Sequence, residues 1–479
     1  MTRFECDVRE PGAPLAHVWS HTIGSDHARM ALRADWQAQM RRTHAELGVR
    51  HVRFHALLDD DMATLLDERD SLLYGFHNVD LIVDFLRSID MRPFVELSFM
   101  PRALASGDRT VFSYRGNVTP PRKMSDWDQL IERLVRHSIA RYGIDEVRQW
   151  YFEVWNEPNL DAFWTGTQAD YFELYRHTAN TLRRIDAQLR VGGPATANDG
   201  WIDDFVDFCQ REAVPCDFIS THHYPTDAFG KPGDDTETQL SLATRGILRE
   251  RAQRVKQAAR GLPVYYTEWS SSSNPFFHRH DEPYAAAFMA KNFLDVADLV
   301  EAYSYWTFSD IFAENYFSSM PFHGGFGLLT IDGIAKPTYR AFQLLCRLGE
   351  ERLVVHGAHA TVDVCATRVA DGLVLFVTNH AFPRQPIADE RVRIDLAGSR
   401  APRAAAIERI DEAHCNPRKL WQALGAPEYP DVTQLQRLDA ASQLRREPLA
   451  WQVTADGLGI ELDMPPHAVA ALSLEFDKS

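Results

Sequence analysis

The chain carries little that would mark it for a membrane, an oxidising compartment or a nucleic acid. None of its apolar runs approaches the roughly 20 residues needed to cross a bilayer. The opening stretch, MTRFECDVREPGAPLAHVWSH, has no basic segment followed by an apolar one, so no secretory leader is read and a cytoplasmic protein is expected. Cysteine is scarce. The six residues Cys6, Cys209, Cys216, Cys346, Cys365 and Cys415 form no C-x-x-C pair and no zinc spacing, which predicts reduced thiols and no metal. Basic residues are in the minority, 51 Lys and Arg against 67 Asp and Glu, and the net charge of −16 argues against nucleic acid or anionic lipid as main partner. Repeats and low-complexity tracts are absent as well.

What remains is ordinary globular material, 45% hydrophobic and 25% charged. Its length suits a barrel of roughly 250–350 residues with an accessory domain. Strand-like runs fall at 16–23, 49–55, 92–98, 150–157, 190–196, 217–224, 263–269 and 301–308. Between them, apolar residues recur at helical spacing in 79–89, 127–142, 171–185 and 283–297. Eight strands alternating with helices predict a (β/α)8 barrel over 16–345. Beyond it, the runs at 372–380, 391–397, 404–411, 458–464 and 467–476 read as a β-sandwich over 346–479. The segment 1–15 is too short for a domain and offers that sandwich one more strand. A long connection at 100–125, rich in Gly, Pro and Arg, follows the third strand, where a functional loop is expected.

Polar residues sit where a buried strand should carry none. Arg53 and His55 end the second strand, and Asn156 and Glu157 end the fourth, where Pro158 stops it. His222, His223 and Tyr224 end the sixth, Glu268 the seventh, and Trp306 lies near the end of the eighth. In a barrel all of these converge on the C-terminal mouth. Two glutamates facing one another there suit a retaining glycosidase, one protonating the leaving oxygen and the other attacking the anomeric carbon. Asn156 is placed to hold a sugar 2-hydroxyl, Arg53 to support the charge on Glu268, and Tyr224 to hydrogen-bond it. The adjacent His222 and His223 must point to opposite faces of their strand, one into the mouth and one outward, and no coordinating carboxylate partner is visible for them. His278 and His280 read as solvated loop residues, while Phe163 and Trp164 fit either a core or a sugar-binding wall.

Five stretches, FMPRALASGDRTVFSYRGNVTPP (99–121), FEVWNEPNL (152–160), YYTEW (265–269), YWTFSDIF (305–312) and FHGGFGLL (322–329), carry a resemblance to glycoside hydrolase family 39, the β-xylosidase group. The resemblance runs nearly end to end. It implies a retaining barrel packed on a C-terminal sandwich, with no cofactor, Glu157 as acid/base and Glu268 as nucleophile. His55, Asn156, Phe163, His222, Tyr224, Trp306 and Glu314 match sugar-contacting positions. The chain departs from the pattern at Ala313-Glu314, where relatives often have two glutamates, and in the loop 270–281, where Phe276 and Phe277 stand in for a frequent tyrosine. It also ends soon after its last strand, so a homo-oligomer is not specified. The expected activity is release of terminal xylose from β-1,4-xylo-oligosaccharides, with Phe112 and Tyr114 of the 100–125 loop closing the pocket. Alternatives are the same mechanism on another glycoside, such as an arabinoside or an α-L-iduronide, or a silent sugar-binding protein.

Overall fold

The computed structural model describes residues 1–68, 71–226, 231–315 and 318–477. Eight strands form one parallel sheet in chain order: β1 (Thr22–Gly24), β2 (His51–Phe54), β3 (Arg92–Leu97), β4 (Tyr151–Val154), β5 (Arg190–Thr196), β6 (Phe218–His222), β7 (Val264–Trp269) and β8 (Ala302–Tyr305). Seven lie within predicted runs, and the first overlaps its run, 16–23, only at Thr22 and Ile23. The first is shorter than its pattern suggested, because Val18 and Trp19 bury their side chains from a turn of 3-10 helix, not from a strand. The sheet curls until β8 meets β1, and the Phe308 N–H donates to the Gly24 carbonyl at 3.0 Å across the seam. Glycine is required there, since a Cβ would stand 2.6 Å from the Trp306 ring. The barrel is thereby closed with the C-terminal ends of all eight strands at one mouth.

The period of two along each strand sorts the interior into layers. Phe94, Tyr151, Phe218, Tyr265 and Ala302 form an apolar plug at the bottom. Two residues further along their strands come Glu96, Glu153 and Thr267, joined by Arg53 of β2, which pairs with both glutamates, and all four are buried. Above these lie His55, Glu157, His222 and Glu268.

Helices with one apolar stripe cover the outside. His77–Ser88, Met124–Tyr142 and Gln168–Ile185 follow β2, β3 and β4. The Pro283–Val296 helix is buried on nearly every side, because it lies between barrel and sandwich: Tyr284 faces His380 and Phe288 faces Phe382 across ring distances of 5.5 and 5.8 Å. A helix sheathed in this way needs apolar residues all round.

The sandwich is a seven-stranded antiparallel sheet on a four-stranded one, with Leu373, Leu375, Ile394, Ile460 and Leu472 between them. The N-terminal strand, Thr2–Asp7, pairs in parallel with Glu390–Ala397 and adds Phe4 to that core. Two parts of this region were not apparent in the pattern. The strand Val362–Val369 has its alternation interrupted by Asp363 and Arg368. The helices Pro417–Ala423 and Val432–Ala441 form an insert whose Trp421 packs on Phe322, bracing the chain that follows β8.

Candidate active site

The mouth is built outward from one buried cation. Arg53 is fully enclosed, and its guanidinium bonds Glu153 at 2.6 Å, Glu96 at 2.7 Å, Glu268 at 2.7 Å and the Asn156 carbonyl oxygen at 3.0 Å. A planar five-donor fork is suited to several acceptors at once, which a lysine could not match. The bond to Asn156 also orients that side chain, so its N–H2 is the end left for a ligand. Taking such charges out of water costs several kcal/mol per ion unless they are paired, and here every partner is.

Glu157 is held by an unusual backbone. Trp155 and Glu157 both take positive φ, +71° and +44°, in the left-handed region that costs non-glycine residues about 1–3 kcal/mol. Two contacts sustain it: the Glu157 N–H donates to Ala195 of β5 at 2.8 Å, and the Trp155 indole donates to the Phe163 carbonyl at 2.8 Å. Pro158 prevents the strand from continuing. The opposite carboxylate reaches the mouth by a different device. Strand register shifts between Thr221 and His222 and again between Tyr266 and Trp269. These bulges let Thr267 and Glu268, neighbours in sequence, both face inward.

The result is two carboxyls with dissimilar surroundings. Glu268 receives Arg53 on one oxygen and the Tyr224 hydroxyl, at 3.1 Å, on the other. Glu157 touches no cation directly; its Oε1 lies 2.9 Å from His222 Nδ1, and burial pushes its pKa up to about 7. Burial lowers that of His222 to about 4, keeping the ring neutral. One carboxyl thus holds a proton near neutrality while the other is charge-paired, and an oxygen of each lies within 4.8 Å of the other.

Around them is a cavity of about 410 Å³ lined by His55, Asn156, Glu157, Tyr224, Glu268, Trp306 and Glu314, with Phe112, Leu160, Phe163, Pro275 and Phe326 as apolar walls. His55 bonds Glu96 at 2.7 Å and turns Nε2 toward Glu268 and Glu314, each 3.4 Å away. Among the described residues Glu314 Oε1 has no hydrogen-bond partner, and burial beside Asp26, Glu268 and Glu157 raises its pKa well above the usual carboxylate range. A buried acceptor left open is ready for a ligand hydroxyl. The 100–125 loop folds as a small hairpin, Thr110–Val111 with Gly116–Asn117, whose tip is pinned across the mouth. Its Ser113 N–H donates to Glu314 O at 2.7 Å, and Tyr114 stacks on His27 at 3.9 Å. Opposite, buried Lys336 joins Asp281 to Asp310 at 2.6 Å each, tying the loops after β7 and β8 together.

A model of the family described as glycosyl hydrolases family 39 matches residues 2–457. The chain belongs to family 39. It is 47% identical to a beta-xylosidase of Caldicellulosiruptor saccharolyticus over 95% of both chains, and 36% identical to one of Geobacillus stearothermophilus over 88% of this chain and 86% of that one. Among solved structures, a monomeric beta-xylosidase from Caulobacter crescentus CB15 superposes with a TM-score of 0.90 at 33% identity, covering all of both chains. The family 39 barrel and its C-terminal sandwich agree with the fold read from strand count.

The ten residues given catalytic, supporting or sugar-contacting roles surround this one site. Trp164, for which core and wall both stood open, is a core residue outside the cavity, packed on Trp155 with its indole donating to Thr167 O. Two expectations need correction. His280 is buried, not solvated, and bonds Gly324 O at 2.9 Å. The statement that the histidine pair lacks carboxylate partners also fails: Glu157 and Glu268 both approach His222, and the three side chains are the one group among the described residues with metal-ligand spacing. A cation there would bridge the same two carboxyls that face the cavity. His223 points outward as expected, to Asp199 at 3.2 Å. Missed altogether were Glu96, Glu153 and Thr267. Each lies two residues beyond an apolar plug residue, so carrying the period of two inward along β3, β4 and β7 would have found them.

Proposed function

We propose that this family 39 chain is a β-D-xylosidase that removes single xylose units from the non-reducing end of short β-1,4-xylo-oligosaccharides, working on imported sugar in the cytoplasm. Glu268 attacks the anomeric carbon as Glu157 gives its proton to the departing oxygen, and a covalent glycosyl-enzyme forms. Water then gives a proton to Glu157 and attacks the same carbon, releasing xylose with retained configuration and freeing Glu268.

The observation that carries this reading is the pair itself: two carboxyls in unlike environments, with an oxygen of each within 4.8 Å of the other, as the closely set pair of a retaining site requires. One feature favours a neutral pentose over a uronic sugar: no lysine or arginine lines the described cavity. The hairpin tip at Phe112 blocks one end of the mouth, which favours exo action. Six free cysteines support a reducing compartment. As in the two curated relatives named beta-xylosidase, xylose is the sugar to try first.

The test is release of nitrophenol from 4-nitrophenyl β-D-xyloside by wild type and by Glu268→Gly, with and without azide. An inactive variant that azide restores, with α-xylosyl azide as product, supports the assignment. Full activity of Glu268→Gly would overturn it, and turnover of another aryl glycoside alone would overturn the sugar while leaving the mechanism.

A further inference from the structure

We propose that Thr267 is a positioning residue: by a hydrogen-bond chain anchored on Arg53 it locks His222 as the Nε2–H tautomer, leaving Nδ1 as a bare lone pair that keeps the proton on Glu157. This rests on the reading of Glu157 as the acid.

The direction of each hydrogen bond follows from what its neighbours can do. Arg53 is a donor only, and its Nε donates to Glu153 Oε2 at 2.6 Å. A carboxylate paired in that way offers lone pairs only. The Thr267 hydroxyl therefore spends its single proton on Glu153 Oε1, 2.8 Å away. His222 Nε2 stands 3.1 Å from the same hydroxyl oxygen, which has only lone pairs left, so Nε2 must carry a hydrogen. A neutral imidazole with Nε2–H has no hydrogen on Nδ1. Yet Nδ1 lies 2.9 Å from Glu157 Oε1. Two facing lone pairs would repel, and the proton that resolves the contact is the one on Glu157. Every member of the chain is buried: Arg53, Glu153 and His222 are 0% exposed and Thr267 is 1%. Water cannot substitute for any link.

The opposite arrangement, an imidazolium beside a Glu157 carboxylate, would put a second cation near Arg53 on a ring that solvent does not reach. Besides His222, Glu157 is faced by Glu268, His55, Arg53, Glu96 and Glu314; besides Thr267 and Glu157, His222 is faced by Glu268, Arg53, Glu153 and His55. Within that set, burial keeps Glu157 protonated and His222 neutral. During turnover His222 and Thr267 keep their own protons. Only Glu157 loses one, to the leaving oxygen, and regains one from water. Its transient carboxylate then faces a lone pair, which favours taking that proton back.

The first experiment reads the wild-type enzyme. Nitrogen-15 shifts of the wild-type ring, assigned by difference against His222→Gln, report which nitrogen is protonated. The expected result is Nε2 protonated and Nδ1 bare. The second measures the alkaline limb of kcat/KM on xylobiose. In Thr267→Val the ring is released to the Nδ1–H tautomer, which donates to the Glu157 carboxylate, so the limb should move about one pH unit toward acid. Thr267→Ser should restore the wild-type limb. In Thr267→Val, kcat on xylobiose should fall more than kcat on an activated aryl xyloside, with KM nearly unchanged. Protonated Nδ1 in the wild type, an unmoved limb in Thr267→Val, or an equal shift in Thr267→Ser would each overturn the proposal. Failure of the acid reading looks different: Glu157→Gln would then turn over xylobiose at the wild-type rate, whatever the tautomer.

Discussion

The barrel mouth and the sandwich core bury similar strand interiors for opposite ends. Between the sandwich sheets the enclosed side chains are Leu373, Leu375, Ile394, Ile460 and Leu472. Charged pairs such as Arg391–Glu461 and Arg3–Asp395 stay on the outside. In the mouth the pattern is reversed: Arg53 with Glu96 and Glu153, and Lys336 with Asp281 and Asp310, are fully enclosed. Apolar burial contributes about 1.5–3 kcal/mol for each large side chain, whereas a buried ion pair is often no better than a hydrophobic pair of the same volume. The sandwich therefore holds itself together, while the mouth spends stability to fix charges in place.

That contrast can be broken from either side. The largest effect is expected from Arg53→Met, which leaves Glu96 and Glu153 buried without their cation. It should cost about 3–5 kcal/mol in urea unfolding and abolish xyloside turnover. Retained activity would mean the mouth does not depend on that centre. Glu157→Gln should separate the two properties, lowering kcat/KM on xylobiose by about 10²–10⁴-fold without lowering the melting temperature.

Its pH behaviour has a definite sign. The protonated form of Glu157 is the active one, so kcat/KM should fall as pH rises through about 7. The folded chain holds this proton more tightly than the unfolded chain, whose carboxyl titrates near 4.5. The associated stability is complete below about 4.5 and is lost as pH climbs to about 7. Glu157→Gln should flatten that slope, and an unchanged slope in thermal melts at pH 5 and 8 would assign it elsewhere. Leu472→Ala is the converse variant: it should cost about 2–5 kcal/mol yet leave kcat per folded molecule as in wild type. Smallest of all, Arg391→Ala on the exposed sandwich edge should leave both melting temperature and kcat unchanged, because solvent screens its pair with Glu461.

How far the sequence could be read follows from the range of the forces involved. Strand existence and inward direction are local: alternation along eight runs located the barrel, and the polar residues at their ends, Glu157 and Glu268 among them, located the site. Val362–Val369 escaped because its charged residues blur that alternation, and Glu96, Glu153 and Thr267 escaped because only strand ends were searched for chemistry. Phe163 and Trp164, adjacent in sequence, could not be told apart until packing placed one in the cavity wall and the other against Trp155.

Residue type and strand order were thus the sequence's own contribution, together with the family membership they carry. Tertiary structure alone decided that Thr267 and Glu268 share one face, since a bulge is a property of two strands in register. It also decided that Glu157 meets a neutral histidine while Glu268 meets Arg53. Proton affinity and carboxyl spacing depend on groups brought together from distant parts of the chain, and no local pattern encodes a distance across a barrel.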